Sequence, residues 1–240
     1  MQDTVVIIPT YNEIENIEAI VKAVFAQSEA VHVLVVDDNS PDKTALKVKA
    51  LQSVFSNRLF LEVRKEKSGL GTAYIHGFKW SLNKGYKYIF EMDADFSHNP
   101  KDLIKLYKAC NNDGADLSIG SRYVTGVNVV NWPMSRVLLS YLASKYVRLI
   151  TGMKIHDTTA GFVCYKRHVL ESINLDAIKF IGYAFQIEMK FKAYIKKYKI
   201  VEVPVIFTDR TNGESKLSSG IISEAIFGVI SMKLKSVFKK

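Results

Sequence analysis

Two aspartates set one residue apart, Asp93 and Asp95, close an apolar run that begins Tyr88-Ile89-Phe90-Glu91-Met92. In an extended backbone, side chains at i and i+2 point to the same side. Such a pair can therefore grip one hard cation, Mg²⁺ or Mn²⁺, and leave the rest of its coordination sphere to phosphate oxygens. The chain continues Phe96-Ser97-His98-Asn99-Pro100, and Asn99-Pro100 offers a cap for a helix starting near Lys101. The carboxylates then sit in a strand-to-helix loop, at the edge where open α/β sheets bind ligands. A solvated turn holding two aspartates by chance gives the same short pattern.

The elements around this pair supply the better test. Val5 to Ile8 reads as a strand, Pro9-Thr10-Tyr11-Asn12 as a turn, and Ile14, Ile17, Ile20, Val21 and Val24 recur at helical spacing. Val31 to Val36 is a second buried strand, ending in Asp37-Asp38-Asn39-Ser40-Pro41. A helix over about Asp42 to Phe55 and a strand over Leu59 to Val63 follow, then Gly69-Leu70-Gly71 opens another helix. The central strand, Tyr88 to Asp95, leads to a helix over Leu103 to Cys110 and a strand over Ala115 to Gly120, which ends in Ser121-Arg122-Tyr123.

This alternation predicts a mostly parallel α/β sheet flanked by helices. One edge of it gathers Thr10 to Glu13, Asp37-Asp38, Asp93-Asp95 and Arg122, acids and a base from four loops. Beyond Arg122 come an amphipathic stretch from Met134 to Ile150 and a strand over Phe162 to Tyr165. A helix opened by Gly182-Tyr183-Ala184-Phe185 and a strand over Ile200 to Phe207 follow. From Ser218 onward apolar residues again recur at helical spacing.

The formal net charge of +9 over 240 residues favours an anionic partner: nucleic acid, a phosphorylated ligand or a membrane surface. No nucleic-acid recognition motif is present, nor aromatic and basic residues interleaved on a strand, so no nucleic acid is expected. No stretch reaches the roughly 18 to 20 apolar residues of a membrane-spanning helix. Asp3 stands where a secretion signal would be basic, which predicts a cytoplasmic chain. Cys110 and Cys164 lack metal-ligand spacing and read as free thiols.

Taken in order, Ile8-Pro9-Thr10-Tyr11-Asn12-Glu13, Val36-Asp37-Asp38-Asn39-Ser40-Pro41-Asp42, Gly69-Leu70-Gly71-Thr72-Ala73, Asp93-Ala94-Asp95-Phe96-Ser97-His98, Gly120-Ser121-Arg122-Tyr123 and Arg210 to Lys216 resemble the inverting family 2 glycosyltransferases of the GT-A fold. Among these the likeness is strongest to the dolichol-phosphate, or polyprenyl-phosphate, mannosyltransferases. The resemblance implies transfer of mannose from GDP-mannose to a polyprenyl phosphate, with Mg²⁺ or Mn²⁺, on the cytoplasmic face of a membrane.

It also implies roles. Pro9, Tyr11, Glu13, Val36 and Asp38 would line the nucleotide pocket, and Asp93 and Asp95 would bind the metal with Ala94 against the donor. Arg122 and Arg136 would receive the acceptor phosphate or donor, with Arg122 counted beside Asp93 and Asp95 in catalysis. Arg210 and Lys216 would end a loop that folds over the diphosphate. Ser97 occupies a position where some relatives carry a further ligand, often Gln; as a weaker ligand it is left out of the metal set. Asp157, before Gly161-Phe162, is either a turn cap or a site residue. Residues 1–217 would form the catalytic domain and 218–240 an amphipathic helix, suited equally to solvent and to a membrane surface.

The chemistry is consistent with the residues. A cation at Asp93 and Asp95 stabilises a departing diphosphate, and a lipid phosphate attacks as an anion without a strong general base. Two alternatives keep the fold: UDP-glucose as donor, or a glycan as acceptor. A receiver-like signalling domain is the alternative from another class, since Val33-Leu34-Val35-Val36-Asp37-Asp38 reads like its acidic start. Asp95 and the more than a hundred residues beyond it have no place in that reading.

Overall fold

The computed structural model describes residues 1–182, 184–209 and 219–238. In chain order the elements are β1 (Thr4–Thr10), α1 (Ile17–Phe25), β2 (Val31–Asp37), α2 (Thr44–Leu51), β3 (Leu59–Val63), α3 (Leu70–Asn83) and β4 (Tyr88–Glu91). A single 3-10 turn leads to α4 (Leu103–Asn111), then β5 (Leu117–Ser121), β6 (Val129–Val130), α5 (Met134–Thr151), β7 (Val163–Lys166) and α6 (Arg167–Ser172). The last elements are α7 (Ala184–Ile195), β8 (Ile200–Pro204), β9 (Phe207–Thr208) and α8 (Ser219–Phe238).

Seven strands form one sheet in the order β3-β2-β1-β4-β7-β5-β8. All pairs are parallel except those made by β7, which runs antiparallel to both β4 and β5. Continuous apolar runs such as Val5-Val6-Ile7-Ile8 and Val33-Leu34-Val35-Val36, fully buried, are what a sheet covered on both faces requires. One apolar layer lies under α1, α2 and α4. The other lies under α3, α6 and α7 and reaches Val147 of α5 and Val229 of α8.

The chain steps from β1 out to β3 and then returns to β4 on the other side of β1. This reversal opens a crevice at the carboxyl ends of β1 and β4, the place where such sheets bind ligands. The sheet continues past β4 into an antiparallel strand, and the receiver-like alternative gives way.

α3 lies close on β1 because Gly77 has no side chain. A Cβ there would stand 2.7 Å from Ile7 Cγ2, so Gly77→Ala must push two buried elements apart. The expected cost is about 1–3 kcal/mol, read as a melting temperature lower by several degrees.

The sheet also corrects some expected boundaries. The strand read as Tyr88 to Asp95 stops at Glu91, so both aspartates stand in the loop beyond it. The final strand breaks at 205–206 into β8 and β9, and β9 pairs with β6 in a small separate sheet. The expected cap is present: Asn99 accepts from the Lys101 amide at 3.1 Å, with Pro100 in the first turn.

Candidate active site

Loops from the carboxyl ends of β1, β2, β3 and β4 meet at the crevice. The first two are stitched together by short polar side chains. Asp37 accepts from Thr10 Oγ1 (2.7 Å), Ser40 Oγ (2.6 Å) and the Ser40 amide (2.9 Å). Asp42 takes the amides of Ile14 and Thr44, and Thr44 Oγ1 takes the amide of Glu13. These bonds fix the turn that carries Tyr11 and Glu13, over whose Tyr11 ring Lys67 Nζ stands at 4.3 Å. Pro9 pairs in register with Val36. Val36 itself is fully buried in the apolar layer below α3, so its side chain supports the floor of this region.

Asp38 is held by a residue the sequence reading did not single out. Arg64 grips it with Nε on Oδ1 at 2.6 Å and Nη2 on Oδ2 at 2.7 Å, and its Nη1 reaches Thr72 Oγ1 at 2.8 Å. Thr72 Oγ1 in turn donates to the Gly69 carbonyl at 2.7 Å. Gly69 takes φ +99° at the entry to α3, a conformation that a side chain would strain. This fork ties the glycine-rich loop to the β2 loop. Arg64 lies in the charged run Arg64-Lys65-Glu66-Lys67, where nothing in the sequence separates it from solvated neighbours.

The acid pair is set by its surroundings. Asp93 Oδ1 accepts from the Tyr74 hydroxyl at 3.1 Å, and the Asp93 amide donates to His98 Nδ1 at 3.1 Å. Burial first, then the Asp93 charge, raises the Tyr74 pKa well above its ordinary value, so the phenol remains a donor. Burial pushes His98 down to about 4, and its ring is the neutral acceptor that the bond from Asp93 requires. Asp95 Oδ1 takes the Ser97 amide at 3.1 Å. Between them in this tight loop Phe96 adopts φ +60°, rare for an aromatic residue. Ala94 is buried.

Among the described residues no three His, Cys, Asp or Glu side chains gather as a ready metal cage. Two carboxylates with sites left for substrate phosphate is how Mg²⁺ is commonly held. Ser97 Oγ is buried without a partner among the described residues. An all-oxygen donor set of this kind fits a hard divalent cation.

Across the crevice lies the Arg122 side. Arg122 donates through its amide (3.0 Å) and Nε (2.7 Å) to Asp157 Oδ2, through Nη2 to Asp157 Oδ1 (2.6 Å), and to Thr159 Oγ1 (2.9 Å). Arg122 is 7% exposed and Asp157 wholly buried. The guanidinium stands within 5.5 Å of the ring centres of Tyr123, Trp132 and Phe207. Glu202 fixes the same loop by taking the amides of His156 and Asp157 and the hydroxyl of Ser121. Arg136, in the first turn of α5, donates to Asp209 Oδ1 at 2.7 Å and lies 4.1 Å over Trp132.

Aromatic rings join the two sides. His98 stacks on Phe162 at 4.9 Å and meets the edge of Phe207 at 5.5 Å, and Phe207 touches Trp132. The structure thus brings Asp93, Asp95, His98, Arg122 and Arg136 around one connected site. Arg210, Lys216, Gly213 and Tyr183 lie outside the described residues.

Behind the acid pair, sequence reading missed a buried polar cluster. Lys190 Nζ donates to the Ala160 carbonyl at 2.6 Å and to the Gln186 carbonyl at 3.2 Å. Burial holds its pKa below the usual lysine value, against the charge of Glu91, whose own pKa burial raises. Lys190 thereby pins the loop that carries Asp157 and Thr159. Its only sequence signal is a lysine at a core-facing helical position.

Two acids beyond β4, facing bases from the far half of a mostly parallel seven-stranded sheet, define a GT-A fold. A model of glycosyl transferase family 2 matches residues 5–173, and the chain belongs to that family. It is 48% identical over 228 residues to the polyprenol monophosphomannose synthase of Mycolicibacterium smegmatis, covering 95% of this chain and 86% of that one. To the undecaprenyl-phosphate mannosyltransferase of Micrococcus luteus it is 44% identical over 225 residues, covering 93% and 90%. The fold is shared with glucosyl-3-phosphoglycerate synthase from Mycobacterium tuberculosis, solved with Mn²⁺, uridine diphosphate and glucosyl-3-phosphoglycerate. That match has a TM-score of 0.70 at 15% identity and covers 97% of this chain and 78% of that one.

Proposed function

We propose that this protein transfers mannose from GDP-mannose to a polyprenyl phosphate with inversion. The observation that carries the reading is the likeness, at 48% and 44% identity over nearly the whole chain, to two proteins named for mannosyl transfer to polyprenyl phosphates. The site chemistry supports it. Asp93 and Asp95 would hold Mg²⁺ or Mn²⁺, which when bound neutralises the diphosphate that leaves the sugar.

The loops carrying Pro9, Tyr11, Glu13 and Asp38 offer polar and aromatic groups to a nucleotide, with Arg64 keeping Asp38 in place. Arg136 offers the acceptor phosphate a guanidinium at the mouth of α5. An oxygen of that phosphate attacks the anomeric carbon opposite the leaving diphosphate. The new sugar–phosphate bond forms as the old one breaks, which inverts the centre and releases GDP. The attacking oxygen is already an anion, so His98, buried and neutral, need take no proton. In this reading Arg210 and Lys216 close over the diphosphate.

No helix among the described residues is long and apolar enough to cross a membrane. A peripheral position on the cytoplasmic face of a membrane belongs to the same proposal, because the acceptor it names is a membrane lipid.

The test uses labelled GDP-mannose or UDP-glucose with Mg²⁺ or Mn²⁺, with and without polyprenyl phosphate. Mannose label should enter the organic phase only when lipid phosphate is present. Glucose label there instead would reverse the donor assignment. Transfer that ignores the lipid phosphate would reverse the acceptor assignment.

A further inference from the structure

Asp38, Asp93 and Asp157 are each held by a side chain from elsewhere in the fold, and the holders differ in charge. Asp38 is gripped by Arg64 and Asp157 by Arg122, both through guanidinium forks. Asp93 accepts instead from a phenol, the hydroxyl of Tyr74 at 3.1 Å. A guanidinium offsets the charge of the acid it orients, whereas a phenol orients a carboxylate and brings no positive charge. A cation-binding acid calls for the second kind of holder.

Tyr74 is wholly buried in the second turn of α3. Its ring lies parallel to Phe185 of α7, with centroids 6.1 Å and planes 6° apart, and stacks on Phe78 of its own helix at 6.3 Å. Phe185 comes this close because Gly71 has no side chain: a Cβ there would stand 2.8 Å from the Phe185 ring. A ring clamped between close-packed neighbours cannot swing its hydroxyl, so the phenol is a fixed point for the Asp93 carboxylate. The Asp93 backbone is tied separately, by its amide to His98 Nδ1 at 3.1 Å.

The same turns of α3 reach the nucleotide side. Thr72, two residues before Tyr74, accepts from Arg64 Nη1 at 2.8 Å, and Arg64 holds Asp38. One helix end therefore sets the spacing between the Asp38 loop and the Asp93 carboxylate. By contrast, the bond from the Ser97 amide to Asp95 is made within the acid loop itself.

We propose that Tyr74 is a positioning residue for the divalent cation, its hydroxyl holding the Asp93 carboxylate in the orientation that binds the ion, at a spacing from the Asp38 loop fixed by the first turns of α3. This rests on the reading of Asp93 and Asp95 as the metal pair. Groups that orient a metal ligand commonly carry about 10- to 100-fold of the metal affinity.

The experiment titrates the full-length protein with Mn²⁺ alone and follows the loss of the free-ion electron paramagnetic resonance signal. The wild type should bind the ion and Asp95→Asn should not. Tyr74→Phe keeps the ring and its stacking, so it should melt within a few degrees of wild type without metal and bind Mn²⁺ at least about tenfold more weakly. Tyr165→Phe is the control. It removes another wholly buried hydroxyl of the same apolar layer, one with no partner among the described residues, and should bind Mn²⁺ as the wild type does.

Wild-type Mn²⁺ affinity in Tyr74→Phe overturns the assignment of Tyr74 and leaves the metal pair in place. An equal loss in Tyr165→Phe also overturns it, because loosening of the layer would then account for both variants. Mn²⁺ binding that survives Asp95→Asn, or no binding by the wild type, refutes the metal pair itself and the role of Tyr74 with it.

Discussion

Asp95→Ala should lower sugar transfer by a factor of about 10² or more while the circular dichroism spectrum and melting temperature stay close to wild type. The carboxylate is buried in the loop beyond β4, where it accepts a hydrogen bond from the Ser97 amide among its contacts. A hydrogen bond of this kind contributes about 1 kcal/mol, and the loop lies outside the strands, so the sheet should keep its fold. Losing the negative charge removes half of the pair that would hold the cation against the leaving diphosphate.

Asp95→Asn separates the two functions, because an amide oxygen still accepts from Ser97 but carries no charge. It should lose nearly as much activity as the alanine variant. An active asparagine variant would reduce Asp95 to a loop cap, and full wild-type activity in excess chelator would remove the metal from the reaction altogether.

What the sequence disclosed here was local and periodic. The runs Val5 to Ile8 and Val33 to Val36 announce doubly covered strands, and Asn99-Pro100 announces a cap, because each depends on neighbours a few residues away. The position of β7 was not legible: Val163–Lys166 inserts antiparallel between β4 and β5, and period-two patterning does not specify a partner strand.

The same limit hides Arg64 and Lys190. Their types are ordinary on a surface, and only the fold shows that one binds both oxygens of Asp38 and the other is wholly buried under Ala160. The acid pair was visible because its spacing is itself the chemistry. Asp157 was half visible: its position before Gly161-Phe162 suggested a site role, but its partnership with Arg122, 35 residues away, is a tertiary fact.

That partnership changes what Arg122→Ala is expected to do. A guanidinium receiving phosphate at an open surface would, when removed, raise the acceptor concentration needed and little else. Arg122 is instead bound on both edges of a wholly buried carboxylate, and its removal leaves that charge uncompensated. The expected cost is about 3–5 kcal/mol, a fall in melting temperature of about 6–20 °C, with loss of activity alongside. Arg122→Lys keeps the charge but not the fork and should recover only part.

The double variant Arg122→Met, Asp157→Leu removes both charges and should regain most of the stability. If it melts near wild type yet does not transfer sugar, the pair serves the reaction through Trp132 and Phe207, which its guanidinium packs against. If it regains both, the pair is structural and the assignment of Arg122 to catalysis fails.

pH gives an independent reading. Burial pushes the Asp157 carboxyl up, but the Arg122 guanidinium and the bonds it donates outweigh burial, and the net shift is downward. A carboxylate with a depressed folded pKa contributes stability that is complete above its unfolded value, about 3.9, and is lost as pH falls through the lower folded value. Wild-type stability should therefore drop in that acid range by more than that of the double variant. Parallel acid-unfolding curves for the two proteins would mean that the pair contributes nothing through its charge.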